Sequence, residues 1–382
     1  MKVMHLSDLH LGKCVLEQSM IDDQKYILNQ IMEIVKDKDI DVVMIAGDVY
    51  DRSIPTVDAV SLFSNFLANL YKLGAKVLVI SGNHDSKDRL SFGNELFYDN
   101  DVYIEGFFKK EMKKVTFVDE FGNINFYLLP FIKPADVRGY FSDNEINSYD
   151  DAVRCVIENA NIDINERNVI MVHQFVTASG IDVERSESEA ISLGGIDNVD
   201  VSIFDKFDYV AMGHIHGACK LIRDTVRYAG SPLKYSFSEV NHRKSVSVIG
   251  FNEKGNIDLE LVALKPVRDM RIIKGPIDKL LDKDVYSLGS CDDYICAVIT
   301  DDDYIIDAMG KLRRVYRNIL KLEYDNKRSL INNGNSVSNE FREMSPLELF
   351  SRFYYSQNNV ELDDERMSIL DSLIKNVLEE EG

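Results

Sequence analysis

Asp8 and His10 stand two residues apart just after the alternating run Met1 to Leu6, so in an extended backbone their side chains leave on the same side. That spacing suits two ligands of one ion. Asp48 closes the apolar run Asp41 to Gly47, and Asp51 and Arg52 follow at the mouth of the next loop. Asn83, His84 and Asp85 come after Lys76 to Ser81, His173 after Asn168 to Val172, and His214 and His216, again two apart, after Phe207 to Met212. Imidazole, carboxylate and amide oxygen without thiolate form a mixed N/O set suited to manganese, iron or zinc. The donors are too many for one ion. Two ions sharing Asp48 as a bridge account for the number, and a pair about 3.5 to 4 Å apart is the usual device for cleaving phosphate esters. Taken singly, each residue has a plainer reading, since an aspartate after a strand often caps a helix and a lone histidine is usually a satisfied core or surface group. Repetition at five strand ends is what favours chemistry. His5, inside the first strand, and His242, in a polar segment, keep the plain reading.

Buried strands must deliver these groups. Asp41 to Asp48 is β-branched and continuous, as expected of a parallel strand covered on both faces. Helical spacing from Ile21 to Lys36 places Tyr26, Ile27, Ile31, Ile34 and Val35 inward, and from Thr56 to Leu73 places Val60, Phe63, Phe66, Leu67 and Leu70 inward, with a stop at Gly74. The result is a βαβαβ pattern with polar clusters at the carboxyl ends of its strands, where open α/β sheets bind ligands. From Val102 to Pro134 short alternating strands with a turn at Glu120 to Asn123 suggest a second sheet packed on the first, followed by a helix from Tyr149 to Asn159. The segments near Tyr228 to Pro232 and Val246 to Leu264 read as closing strands of the sheet that carries Phe207 to Met212.

After Lys265 and Pro266 the character changes, and Met270 to Glu323 read as a small α/β domain. Residues 331–344 have linker composition, and two amphipathic helices follow, one from Ser345 and one from Asp363 to Leu378 with Met367, Leu370, Leu373, Ile374 and Val377 on one face. Two short helices beyond a linker imply a partner, or docking on the body, for that face.

At 382 residues the chain exceeds one ordinary core, and 45% hydrophobic with 28% charged residues mark a globular protein without a run long enough to span a membrane. A strand-like start without a basic leader gives the expectation of a cytoplasmic location. Five scattered cysteines, Cys14, Cys155, Cys219, Cys291 and Cys296, fit neither a disulfide framework nor a zinc knuckle. The net charge of −20 is unusual for a chain that grips nucleic acid alone, so a partner must supply basic surface or nucleic acid is not the ligand.

Over residues 1–265 the motifs quoted above resemble those of the calcineurin-like metallophosphoesterases. A longer similarity, through Ser7 to Lys13, Gly230 to Glu239, Pro266 to Met270 and Ser345 to Phe350, is to the SbcD-type nuclease subunits of SbcC–SbcD double-strand-break complexes. The resemblance implies an α/β fold, a four-layer β-sandwich flanked by helices, with a DNA-capping domain over 266–330 and a partner-binding helical segment over 345–382. It also implies one ion on Asp8, His10, Asp48 and His216 and a second on Asp48, Asn83, His173 and His214, with Mn²⁺ expected. A hydroxide between the ions would attack phosphorus in line, His84 would protonate the leaving 3′ oxygen, and Asp51 would orient His84. Arg52 suits either a phosphate or an acidic neighbour. The implied activities are double-strand 3′-5′ exonuclease and single-strand endonuclease in DNA repair, recombination and replication. The implied partner is a coiled-coil ATPase of SbcC type, which would bind the ATP, since this chain has no Gly-x-x-x-x-Gly-Lys-Ser/Thr loop. A homodimer within a heterotetramer is expected, through a helix such as Thr56 to Leu73 or the stretch Leu90 to Phe97. Two rivals remain: a phosphoesterase of the same fold acting on small nucleotides or phosphoproteins, and a catalytically silent scaffold.

Overall fold

The computed structural model describes residues 1–142, 144–178, 186–189, 197–303, 305–325, 346–358 and 360–380. Residue contacts divide the chain into two compact units, Met1–Met270 and Arg271–Gly382, a division beyond the expected 265.

Two six-stranded sheets form the first unit. One runs Ile257–Ala263, Ser245–Phe251, Lys2–Leu6, Val42–Ala46, Lys76–Ile80, Val102–Glu105, and the other Cys219–Lys220, Val226–Tyr228, Tyr209–Met212, Arg167–Val172, Gly122–Leu129, Lys113–Asp119. The strand Val42–Ala46 shows why its sequence is an unbroken apolar run. Val42, Met44 and Ala46 face the second sheet's Phe126, Val169 and Tyr209, whereas Val43 and Ile45 pack with helix residues Ile27, Ile31 and Phe66. Both faces are thus withdrawn from water, at about 1.5 to 3 kcal/mol for each large apolar side chain. The helix Tyr149–Glu158 covers the outer face of the second sheet, giving four layers, helix, sheet, sheet, helix.

Several expectations shift. Val102–Glu105 joins the first sheet, parallel to Lys76–Ile80, and only the hairpin Lys113–Asp119/Gly122–Leu129 enters the second. Ser245–Phe251 and Ile257–Ala263 return to the first sheet, antiparallel beside Lys2–Leu6, and do not close the sheet of Tyr209–Met212. Only Val226–Tyr228 does that. Strand order of this kind depends on which faces meet across the sandwich, and local alternation is silent about it. The helices run Ile21–Asp37 and Val57–Lys72, the second capped by Thr56, whose hydroxyl accepts from the Ala59 amide. Tyr26 and Val60, both expected inside, are each 44% exposed.

The second unit holds a three-stranded sheet in the order Met270–Gly275, Tyr294–Ile299, Asn318–Tyr324, covered by the short helices Ile277–Leu280 and Ala308–Arg313. The helices Pro346–Asn358 and Asp364–Glu380 also belong to it. The linker read over 331–344, Ser345 and the side chain of Val377 lie outside the described residues. Among the described residues no helix is long and apolar enough to cross a membrane, and none of the five cysteines forms a disulfide.

Candidate metal centre

Strands from both sheets end at one edge, and there the backbone turns sharply. Asp8, His10, Asp48 and His214 adopt φ of 53°, 43°, 50° and 96°, in the left-handed region that non-glycine residues avoid. Strain gathered on four proposed ligands is what a site held by its surroundings looks like. The loops are tied together through the main chain: the Asp8 amide donates to the Gly47 carbonyl at 3.0 Å and the His10 amide to the Asp48 carbonyl at 3.0 Å. Glycine is required where the sheets close in. A Cβ on Gly82 would overlap Asp48, and one on Gly213 would overlap the Ala46 carbonyl and the His173 ring.

Every ligand position named from sequence converges. The Nε2 atoms of His10 and His216 lie 3.1 Å apart, and Asp48 Oδ2 is 3.6 Å from His10 Nε2 and 3.2 Å from His173 Nε2. Asn83 Oδ1 sits 3.1 Å from His173 Nε2 and 2.9 Å from His214 Nδ1. Asp8 accepts the His214 amide at 3.0 Å, and with His10 and His216 it forms one group able to hold an ion, while Asp8, Asp48 and His173 form another.

These residues fit divalent cations, on one observation above others. His173 Nδ1 lies 2.7 Å from the Ala46 carbonyl, an acceptor only, so Nδ1 carries the hydrogen. The lone pair of a neutral His173 Nε2 then faces two further acceptors, Asp48 Oδ2 and Asn83 Oδ1. Three acceptors pointing at one spot call for a positive charge there. Burial alone would lower His173, but Asp48 outweighs it and pushes its pKa up to about 9, so without an ion the ring itself takes the positive charge that a cation would supply. Burial holds His10 well below its ordinary range, leaving a neutral imidazole, and raises Asp8. Buried carboxylates at Asp8 and Asp48 need compensating charge, which cations supply.

His84 stands beside this set. Its ring centroid is 4.9 Å from that of His10, and its amide donates to Asp48 Oδ1 at 2.9 Å. Its Nδ1 meets the main-chain carbonyl of Asp51 at 2.9 Å, so the orienting atom is a backbone oxygen. The Asp51 carboxylate is turned to Lys13 Nζ at 2.8 Å and Arg52 Nε at 3.5 Å. The Arg52 side chain is 76% exposed beside that acid.

Other supporting groups had no role in the sequence reading. Asp85 accepts the amides of Val49, Tyr50 and Gly82 at 3.1, 2.9 and 2.9 Å, tying two ligand loops together, and burial followed by the charge of Asp48 pushes its pKa up to about 6. Gln24 donates to the His10 carbonyl at 2.7 Å and accepts the Gly12 amide at 2.9 Å. Glu239 and Lys244 lie behind His216. A polar residue on a buried helix face, as Gln24 is, was the available signal. His5 is a core residue, with Nδ1 3.1 Å from the Tyr209 hydroxyl and its pKa lowered to about 3 by burial.

The chain is similar to several known proteins. The family model described as calcineurin-like phosphoesterase matches residues 1–218, and one described as type 5 capsule protein repressor C-terminal domain matches residues 266–358. The chain is 30% identical over 386 residues to the SbcD subunit of the SbcCD nuclease of Staphylococcus epidermidis, covering 100% of both chains. Among solved structures it is similar to a dimetal phosphatase from Danio rerio, with 11% identity, TM-score 0.41 and coverage of 69% of this chain and 96% of that one. It is also similar to GAP50, the anchor in the inner membrane complex of Plasmodium, with 9% identity, TM-score 0.39 and coverage of 84% and 96%.

Proposed function

Because this chain belongs to the calcineurin-like phosphoesterase family, and within it to the SbcD-type nuclease subunits, we propose that it is a binuclear metal-dependent DNA nuclease acting in an SbcC–SbcD type repair complex. Its activities are double-strand 3′-5′ exonuclease and single-strand endonuclease. The observation that carries the reading is the hydrogen-bonding of His173, whose inner nitrogen faces only acceptors at the junction of the two ligand sets. Asp8, His10, Asp48 and His216 would hold one divalent cation and Asp48, Asn83, His173 and His214 the other, with Mn²⁺ suited to such N/O donors. When bound, such a pair lowers the pKa of water and neutralises charge on a phosphodiester.

The chain's own residues do the rest. Asp48, between the two sets, fixes their separation. His84 keeps Nδ1 on the Asp51 carbonyl and presents Nε2, so its protonated form donates to the leaving 3′ oxygen. Lys13 neutralises the Asp51 carboxylate, leaving Arg52 only weakly engaged and open to solvent, where a phosphate can reach it.

Partners follow from what is left uncovered. Val57, Tyr71, Phe92 and Leu96 are 80%, 52%, 84% and 75% exposed around the helices Val57–Lys72 and Asn94–Tyr98, which supports a second copy of this chain docking there. Phe353, Ile369 and Leu373 of the terminal helices are 58%, 56% and 56% exposed, which supports docking of a coiled-coil ATPase. That partner would bind the ATP and supply the basic surface that a chain of net charge −20 lacks. A cytoplasmic location goes with such a complex.

The test is a plasmid nicking and degradation assay with manganese, beside cleavage of a generic aryl phosphodiester. Cleavage of both is expected. Activity on the small ester with none on DNA, even with the ATPase present, would favour a small-substrate phosphoesterase. Pull-down of the ATPase should be lost on truncation at about residue 340.

A further inference from the structure

We infer that Glu239 is a positioning residue that aims His216 at its cation, and that Lys244 is the group that makes a buried glutamate usable for this purpose. The inference deepens the two-cation reading and rests on it.

His216 has both ring nitrogens engaged. Nε2 faces His10 Nε2 at 3.1 Å, while Nδ1 lies 2.8 Å from Ser188 Oγ and 3.2 Å from Glu239 Oε1. Ser188 has one hydroxyl hydrogen, and its oxygen neighbours are Glu239 Oε1 at 2.6 Å and Ser186 Oγ at 2.8 Å; the carboxylate is the nearer and stronger acceptor, and with either one the Ser188 oxygen is left to accept from Nδ1. Both neighbours of Nδ1 therefore act as acceptors, so Nδ1 carries the hydrogen and Nε2 keeps a lone pair turned toward Asp8 and His10. The main chain is held as well, since the His216 amide donates to Glu189 Oε1 at 2.7 Å.

Glu239 is fully buried, where an unpaired carboxylate is costly. Lys244, itself 7% exposed, answers that charge. Its three ammonium hydrogens go to Glu239 Oε2 at 2.6 Å, the Ser231 hydroxyl at 2.7 Å and the His216 carbonyl at 2.9 Å, which accounts for all its donors. Lys244, Glu239 and His216 are thus one chain of contacts ending at the ion. His173 differs, because a neutral main-chain carbonyl takes its outer hydrogen. A carboxylate behind a ligand histidine makes the imidazole more basic and fixes its tautomer, and losing such a partner typically lowers metal affinity about 10- to 100-fold. The effect belongs to the ion held by Asp8, His10, Asp48 and His216.

Glu239→Gln separates this role from mere packing. The amide must turn its NH₂ toward either Lys244 or the His216 Nδ1 hydrogen, so a donor faces a donor in both orientations. Mn²⁺ is titrated calorimetrically into metal-stripped full-length protein, with the thermal transition of the stripped protein recorded in parallel. Wild type should take up two ions. Glu239→Gln should weaken one of them about 10- to 100-fold, leave the other unchanged, and recover aryl phosphodiesterase activity at raised Mn²⁺. Lys244→Arg should retain both affinities, and Lys244→Met should weaken the same ion. If Glu239→Gln does not fold, Ser188→Ala takes its place and should weaken that one ion more mildly. Wild-type affinity for both ions in these variants, or equal weakening of both together with a lowered thermal transition, overturns the inference. Uptake of fewer than two ions by the wild type sinks the two-cation reading itself, a result distinguishable because it needs no variant.

Discussion

Replacing His84 with serine should remove DNA cleavage while leaving both cations bound. The link between His84 and the ligand set is its main-chain amide, which donates to Asp48 Oδ1 at 2.9 Å and survives the substitution. What disappears is the imidazole and its hydrogen bond to the Asp51 carbonyl, a loss of about 1 kcal/mol in stability. A positioned general acid contributes about 10²- to 10⁴-fold, so at about 1.4 kcal/mol per decade the barrier should rise by about 3 to 5 kcal/mol. Mn²⁺ uptake and cleavage of labelled single-stranded DNA are measured side by side with cleavage of a p-nitrophenyl phosphodiester, whose leaving group needs no proton. Expected is wild-type metal uptake, a collapse of DNA cleavage and near-normal release of nitrophenol. Equal loss on both substrates would remove His84 from the acid role, and loss of a cation would make it a ligand.

Asp48→Asn should weaken both cations, because Asp48 Oδ2 is within 3.6 Å of His10 Nε2 and 3.2 Å of His173 Nε2, whereas His173→Ala should weaken one; calorimetric titration distinguishes a bridge from a ligand of a single site. Gly213→Ala should cost about 1 to 3 kcal/mol in denaturant unfolding and loosen the second cation, since the added methyl lands between the Ala46 carbonyl and the His173 ring; unchanged stability would contradict the close approach. Asp119 is held down to about 2 because hydrogen bonds led by Arg167 outweigh burial. A depressed folded-state pKa means stability present above the unfolded value of 3.8 and lost as pH falls through about 2. Wild type should therefore lose at most about 2 kcal/mol more than Asp119→Asn across that window in urea titrations, and parallel curves would refute the pairing.

The residues proposed for the chemistry were legible from their own neighbourhoods. Buried strands announce themselves as apolar runs, as Val42 to Ala46 does, and a polar group directly after such a run lands at the sheet edge whatever lies around it. Helix limits near Thr56 and Gly74 were equally local, being a matter of capping chemistry and backbone freedom. Tertiary structure alone decided which strand lies beside which, and with it that His173 reaches across to Ala46, that the His214 amide backs Asp8, and that Ser245–Phe251 returns to the first sheet. It also decided which atom does a job: His84 is oriented by the carbonyl of Asp51 and not by its carboxylate, and Glu239 and Lys244 matter only because folding brings them behind His216. Side-chain alternation along a strand is a property of the strand, whereas register between two sheets is set by how remote faces pack, and no short stretch of chain encodes that.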